Sequence, residues 1–239
     1  MGHVFTGQIP FVGRGPGRVP RIAHPLFLLA DSQLLFWARR GELFLERARE
    51  RIECQHPRAA YLGASSHDQA DLFALFAGAM EGVGIRHYRL IPADPTPDDH
   101  AYLESAHLVL LGGDAGAEWR ALQASGVRDV IVRRYIEGAV LVGIGAGAVQ
   151  LGLAARSASA DVPTLGLVPY AVATRDEADD WPILRDQVRE RRGTLQGLGI
   201  PRGGGLVYHP NHRIEAIRHP VCELAWRDAA VCSSILLPE

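Results

Sequence analysis

The sequence predicts an α/β fold built on a doubly wound, mostly parallel sheet. Short uninterrupted apolar runs, such as residues 108–111 and 139–142, recur along the first two thirds of the chain, separated by stretches long enough for helices. Strands of that kind are buried on both faces, which a parallel sheet covered by helices provides. In the last third strand signals return with little helix between them, so antiparallel strands are expected there, added at the edge or end of the sheet.

Residues 1–23 contain Gly13-Arg14-Gly15-Pro16-Gly17-Arg18-Val19-Pro20, which carries neither helical nor strand periodicity and reads as an arm. Residues 24–239 read as one domain. Within it, residues 25–30 give a strand and 34–53 a helix, followed by strand 58–62 and helix 69–82. Next come strand 86–90, a short helix at 97–105, strand 108–111, helix 127–137 and strand 139–142. Beyond residue 160 the strand signals are 165–168, 171–173, 206–208, 214–217 and 221–225, interrupted by one helix at 179–192.

Composition narrows the function classes. With 25 Lys and Arg against 27 Asp and Glu, the net charge of −2 lacks the basic footprint of a nucleic-acid or anionic-membrane partner. Cys54, Cys222 and Cys232 are odd in number and form no C-x-x-C pair, so neither a disulfide framework nor a thiolate metal site is indicated and a cytoplasmic location is expected. No apolar run approaches the roughly 20 residues of a membrane span. No cofactor and no metal are expected; the expected partners are a peptide, an amino-acid-like ligand or a protein, and a homodimer is left open.

Ligands of open α/β sheets bind outside the carboxyl ends of the strands. The segments there are Asp31-Ser32-Gln33, Gly63-Ala64-Ser65-Ser66, Gly112-Gly113-Asp114 and Gly143-Ile144-Gly145-Ala146-Gly147-Ala148, all small or hydrogen-bonding residues. The last has the outline of a serine hydrolase's nucleophile elbow, G-x-S-x-G, with Gly145 where the serine would stand. A glycine there keeps the strand-to-helix turn and removes the hydroxyl.

A family resemblance rests on these segments. Leu110-Leu111-Gly112-Gly113-Asp114, Trp119 and Leu122, Tyr135-Ile136-Glu137-Gly138, the elbow, and Thr164-Leu165-Gly166-Leu167-Val168-Pro169 together resemble the dipeptidase E and cyanophycinase family of serine peptidases. More loosely, Ala59-Ala60-Tyr61-Leu62-Gly63-Ala64-Ser65 is similar to that family's second strand and loop. The resemblance implies a class I glutamine amidotransferase-like, flavodoxin-like fold, and cleavage of aspartyl or β-aspartyl peptide bonds by a Ser, His and acidic triad. Carried over residue by residue, that chemistry fails at two places. Gly145 holds the nucleophile position, and where the general-base histidine is expected this chain has Thr174-Arg175-Asp176-Glu177. The anion-binding geometry does carry over, in the amides of Gly113, Asp114 and Ala146.

The ligand-binding candidates are therefore Gly112, Gly113, Asp114, Gly145, Ala146, Arg175 and Asp176, with no catalytic residue intact. Arg175 at a strand end is able to grip a carboxylate through two hydrogen bonds, or to pair with Asp176 or Glu177 at the surface. Two alternatives compete with a catalytically inactive pseudopeptidase. One is an active hydrolase using another residue, such as Ser32, Ser65 or Ser66. The other is a dinucleotide-binding protein, because residues 143–148 also fit the Rossmann fingerprint G-x-G-x-x-A, with Asp161 near the ribose-binding distance but not on a strand. His209-Pro210-Asn211-His212 reads as a hairpin tip, and Cys222 and Cys232 as small buried hydrophobes.

Overall fold

The computed structural model describes residues 24–64, 69–113, 125–157 and 160–239. From β1 (Leu26–Leu29) the chain makes a 3-10 turn, Ser32–Leu35, then the hairpin β2 (Ala38–Arg39) and β3 (Glu42–Leu43), and one helical turn, α1 (Glu46–Arg49). Alternating strands and helices follow: β4 (Arg58–Ala64), α2 (Gln69–Gly82), β5 (His87–Ile91), α3 (Pro97–Glu104), β6 (Leu108–Gly113), α4 (Val127–Ile136), β7 (Val140–Ile144) and α5 (Ala146–Leu151). The rest is mainly strand: β8 (Ala155–Ser157), β9 (Ala160–Val162), β10 (Ala171–Thr174), α6 (Pro182–Arg191), β11 (Gly197–Ile200), β12 (Gly205–Tyr208), β13 (Ile214–Ile217), β14 (Val221–Arg227) and β15 (Ala230–Leu236).

The main sheet has seven strands in the order β13-β12-β1-β7-β6-β4-β5. β1, β7, β6, β4 and β5 run parallel, whereas β12 and β13 are antiparallel additions at one edge. Alternate strand residues point to opposite faces, and both faces are covered. Leu26, Leu28, Ala60, Leu62, Val109, Leu111 and Leu141 pack against α4 and α5 on one side; Phe27, Leu29, Ala59, Tyr61, Leu108, Leu110, Val140 and Val142 pack against α2 and the α1 segment on the other. This is why these strands read as continuous apolar runs. The mixed fold with its mostly parallel sheet and antiparallel C-terminal strands follows the expected class.

Several elements depart from the sequence reading. The helix expected over 34–53 is broken by a hairpin whose turn places Arg40 at φ 57° and Gly41 at φ 90°. Leu34, Leu35, Phe44, Leu45, Ala48 and Ile52 all reach the core, so a helix-like spacing of apolar residues arises here without a helix. The helix expected over 179–192 starts later, at Pro182, because Asp180 and Trp181 are left-handed and proline suits the first helical position. Residues 165–168 form no strand; the amides of Leu165, Gly166, Leu167 and Val168 instead satisfy the carbonyls of Gln150, Gly152 and Leu151 at the end of α5.

Only β12 and β13 extend the main sheet. β10, β11, β14 and β15 make a second sheet, in the order β10-β11-β14-β15, with Trp181, Leu184 and Val188 of the α6 region packed on it. β11 carries no strand signal in the sequence because two of its four residues are glycines. A Cβ on Gly199 would lie 2.6 Å from the Trp181 ring, and one on Gly197 would lie 2.9 Å from Leu184, so the helix sits on the strand by virtue of those glycines. Cys222 is buried as expected, but Cys232 is exposed on β15. No helix among the described residues is long and apolar enough to cross a membrane.

At the junction of β7 and α5 the helix lies hard against the strands. A Cβ on Gly147 would overlap the Leu111 carbonyl oxygen, and one on Gly143 would lie 2.7 Å from the Ala148 backbone. Gly147→Ala should therefore lower stability by about 3 kcal/mol, as overpacking against backbone does. Urea denaturation checks this; an unchanged midpoint would show that α5 can move away from β6 at no cost.

Candidate functional site

Four strand ends converge beside α5. In the main sheet β1 and β7 are parallel neighbours and end at Asp31-Ser32-Gln33 and Gly145; in the second sheet β10 and β11 are parallel neighbours and end at Arg175 and Arg202. Asp31 joins the two sets. Its Oδ1 accepts from the Gln33 amide at 3.0 Å, capping the 3-10 turn, and its Oδ2 accepts from the Gly203 amide at 2.7 Å, 172 residues further along. The Ala30 amide donates to the Gly204 carbonyl at 2.9 Å, and Arg218 Nη1 donates to Gln33 Oε1 at 3.3 Å. Asp31, Ser32, Gln33, Arg175 and Arg202 line an open pocket of about 180 Å³.

Gly145 is buried and adopts φ 55°, ψ −117°, while its amide donates to the Leu29 carbonyl at 2.9 Å. Side chains rarely adopt that backbone, and a nucleophile elbow imposes such strain on its central residue. Space is not the obstacle. A Cβ here would meet Arg175 Nη2 at 3.5 Å and the Ala30 carbonyl oxygen at 3.7 Å, both ordinary contacts. Ala146, the next residue, is buried at the start of α5.

The guanidinium of Arg175 thus stands directly over the seat that a nucleophile would occupy. Arg175 is left-handed, at φ 67°, and its amide donates to the Ile200 carbonyl at 3.0 Å, which holds the β10 end against the β11 end. The surface ion pair with Asp176 or Glu177 is not formed: among the described residues the Arg175 side chain makes no hydrogen bond or salt bridge. Arg202 also leaves its side chain unpaired there, since only its amide is engaged, by Glu177 Oε1 at 3.1 Å. Burial pushes the Asp176 carboxyl above the usual carboxylate range, Arg175 opposes that rise, and Asp179 and Glu177 add to it. The Asp176 carbonyl, not its carboxylate, does the structural work by accepting from the amides of Asp179 and Trp181.

The remaining candidates fall elsewhere. Gly113, at φ 88°, ends β6 in a conformation that favours glycine. At Gly112 a Cβ would lie 2.8 Å from the Tyr61 hydroxyl, so its smallness, like that of Gly63, accommodates the Tyr61 ring. That ring is buried, which raises its pKa to about 12. Asp114, Ser65, Ser66, Trp119 and Leu122 lie outside the described residues. In the Tyr135-x-x-Gly138 segment, Tyr135 donates to the His24 carbonyl at 2.9 Å and Gly138 closes α4 at φ 101°; both roles are structural. His209 and His212 occupy the β12–β13 turn, bonded to Glu215 and Tyr208 at 3.0 and 2.6 Å. No cluster of three or more metal-ligating side chains occurs among the described residues.

A dinucleotide site is not supported. Contrary to the sequence expectation Asp161 does lie on a strand, β9, but among the described residues β9 pairs only with β8, antiparallel, while the acidic residue of the fingerprint ends the neighbouring parallel strand. A larger cleft of about 480 Å³, between the β2–β3 hairpin, α1 and β13, has a mixed lining whose central charges neutralise one another. There Arg47 holds Glu215 by two hydrogen bonds of 2.9 and 2.8 Å. The elbow pocket is smaller, but it brings two guanidinium groups, unpaired among the described residues, to the ends of two adjacent parallel strands.

The fold is shared with solved peptidase structures. A peptidase from an acI-B1 Actinobacterium superposes with a TM-score of 0.58 at 14% identity, covering 90% of this chain and 95% of its own. A protein assigned as a peptidase E from Listeria monocytogenes EGD-e gives 0.59 at 14% identity, over 82% of this chain and 98% of that one. No protein-family model matches the sequence, and no curated protein is similar to it. The comparison identifies a peptidase-like fold.

Two variants probe the elbow and its neighbour. Gly145→Ser should fold but lose about 1 kcal/mol, the cost of a side chain at a positive φ with room for its Cβ. A serine variant with a clearly higher melting temperature would mean that no elbow is formed here. For Asp176, a folded pKa raised above the unfolded one means that the ionised carboxylate opposes folding above the folded pKa, an effect that fades as pH falls through it. Asp176→Asn should therefore melt no lower than wild type at pH 7, with any gain shrinking towards pH 3; a loss at neutral pH would reveal a stabilising role for the charge.

Proposed function

We propose that the chain is a pseudopeptidase of the dipeptidase E and cyanophycinase type, which keeps the peptidase fold and uses the elbow pocket to bind a peptide or amino-acid-like ligand without hydrolysing it. One observation carries this reading: an elbow backbone at Gly145 whose nucleophile seat faces the Arg175 guanidinium at 3.5 Å. Acyl transfer needs a nucleophile and an adjacent group able to take its proton. Glycine supplies no hydroxyl, and arginine, protonated at any physiological pH, accepts no proton. The two departures from the family pattern thus meet at one point in space, consistent with a site whose former chemistry is gone and whose positive charge is retained. The peptidase likeness of the solved structures supports the scaffold part of this reading.

The rival reading, an active hydrolase with a displaced nucleophile, has one point in its favour: Ser32 lines the same pocket. Among the described residues no histidine lines it with Ser32, and the carboxylate in its lining, Asp31, is already engaged by two backbone amides. A serine-reactive fluorophosphonate should fail to label the protein, and aspartyl dipeptides and β-aspartyl-arginine should remain intact. Labelling together with turnover, both abolished by Ser32→Ala, would establish the hydrolase instead.

A further inference from the structure

The pocket that Arg175 shares with Arg202 has an electrostatic character of its own. Each guanidinium leaves the carboxyl end of one of two adjacent parallel strands, and neither is paired among the described residues. Opposite them stand Asp31, Ser32 and Gln33. In the lining two cations face one carboxylate; beside it Asp176 interacts with Arg175, Glu177 accepts from the Arg202 amide and Arg218 donates to Gln33. Asp31 is spoken for by the amides of Gln33 and Gly203, so it is fixed in place and does not swing across to neutralise either arginine.

We infer that the pocket holds a single carboxylate, shared by the Arg175 and Arg202 guanidinium groups over the Gly145 elbow. The inference rests on the non-hydrolytic reading and gives the ligand a chemical class. Guanidinium presents donors in a planar fork that fits the two oxygens of a carboxylate. Two cations facing one carboxylate in the lining suit a monoanion; a phosphate dianion would bring a second charge close to Asp31. The volume of about 180 Å³ suits a ligand of amino-acid size or the end of a longer one. A hydrolase elbow faces a neutral scissile carbonyl, whereas a guanidinium over the same seat favours the carboxylate that cleavage would release. The site is tuned to a free acid, not to an uncleaved peptide bond.

The carboxylate could belong to a free amino acid, to a side chain or to a peptide terminus, and calorimetry separates these. The titrants are L-alanine, succinate, L-aspartate and glycylglycine, with L-alaninamide and inorganic phosphate as controls. At least one carboxylate should bind saturably at one site per chain, while L-alaninamide does not. L-Alanine alone would point to the free α-carboxylate, succinate to a side-chain acid and glycylglycine to a peptide terminus. Arg175→Gln and Arg202→Gln, both at exposed positions that should leave the fold intact, should each weaken binding at least about fivefold, as loss of a partly exposed charged hydrogen bond does. Saturable binding by none of the four acids, binding indifferent to both substitutions, or tighter binding of phosphate would overturn the inference. Amine release from glycylglycine during the titration would instead overturn the non-hydrolytic reading, and is read separately by mass.

Discussion

The close approach of α5 to β6 and β7 is the constraint on which the rest of the site depends. At Gly143 and Gly147 any side chain would strike backbone, so the helix can lie where it does only if both are glycine. Gly145 between them is different in kind. Its surroundings would admit a Cβ, and its dihedral angles are what favour glycine. Two of the three glycines are thus demanded by packing and one by conformation, and only at that one would a substitution carry chemistry. The hydrogen bond from the Gly145 amide to Leu29 then fixes the elbow against β1.

Fixing the elbow against β1 also fixes it against the second sheet. β1 ends at Asp31, whose carboxylate holds the loop that follows β11, and β11 carries β10 beside it in parallel register. The end of β10 is Arg175. A chain of backbone hydrogen bonds and one carboxylate clamp therefore sets the distance between Gly145 and the guanidinium, two residues 30 positions apart on different sheets. The left-handed backbone of Arg175 belongs to the same arrangement, since it turns the chain out of β10 at the point where the side chain must cross to the elbow.

Much of this was legible in the sequence, for reasons that can be named. The parallel strands β1, β4, β6 and β7 are legible because each is buried on both faces and so reads as a nearly unbroken apolar run, whereas the edge strand β5 exposes His87 and Arg89. The elbow was readable because three glycines at alternate positions follow such a strand. What stayed hidden was hidden physically. The α1 region places its apolar residues at helical spacing although a hairpin turn at Arg40 and Gly41 interrupts it. β11 carries glycines where Trp181 and Leu184 press on it, which erases its strand signal, so the sequence does not mark Arg202 as a strand-end residue. Arg175 is legible as a strand-end arginine able to grip a carboxylate, but its 3.5 Å approach to the elbow belongs to the tertiary structure alone. The role of Gly112 likewise needed Tyr61 to be seen lying across it.

The Arg175 guanidinium stands 3.5 Å from the Cβ position of residue 145, and a thiol placed there would report its charge. In a Cys54→Ser, Cys232→Ser background, the Gly145→Cys variant offers a titratable group beside Arg175 Nη2, while the remaining Cys222 is buried and held above the usual thiol range by its burial. The pH dependence of alkylation should give that thiol a pKa clearly below the ordinary value of about 8.5. Adding Arg175→Gln should bring it back up. A thiol pKa at or above the ordinary value, or one that Arg175→Gln leaves unmoved, would mean that the guanidinium does not act on residue 145.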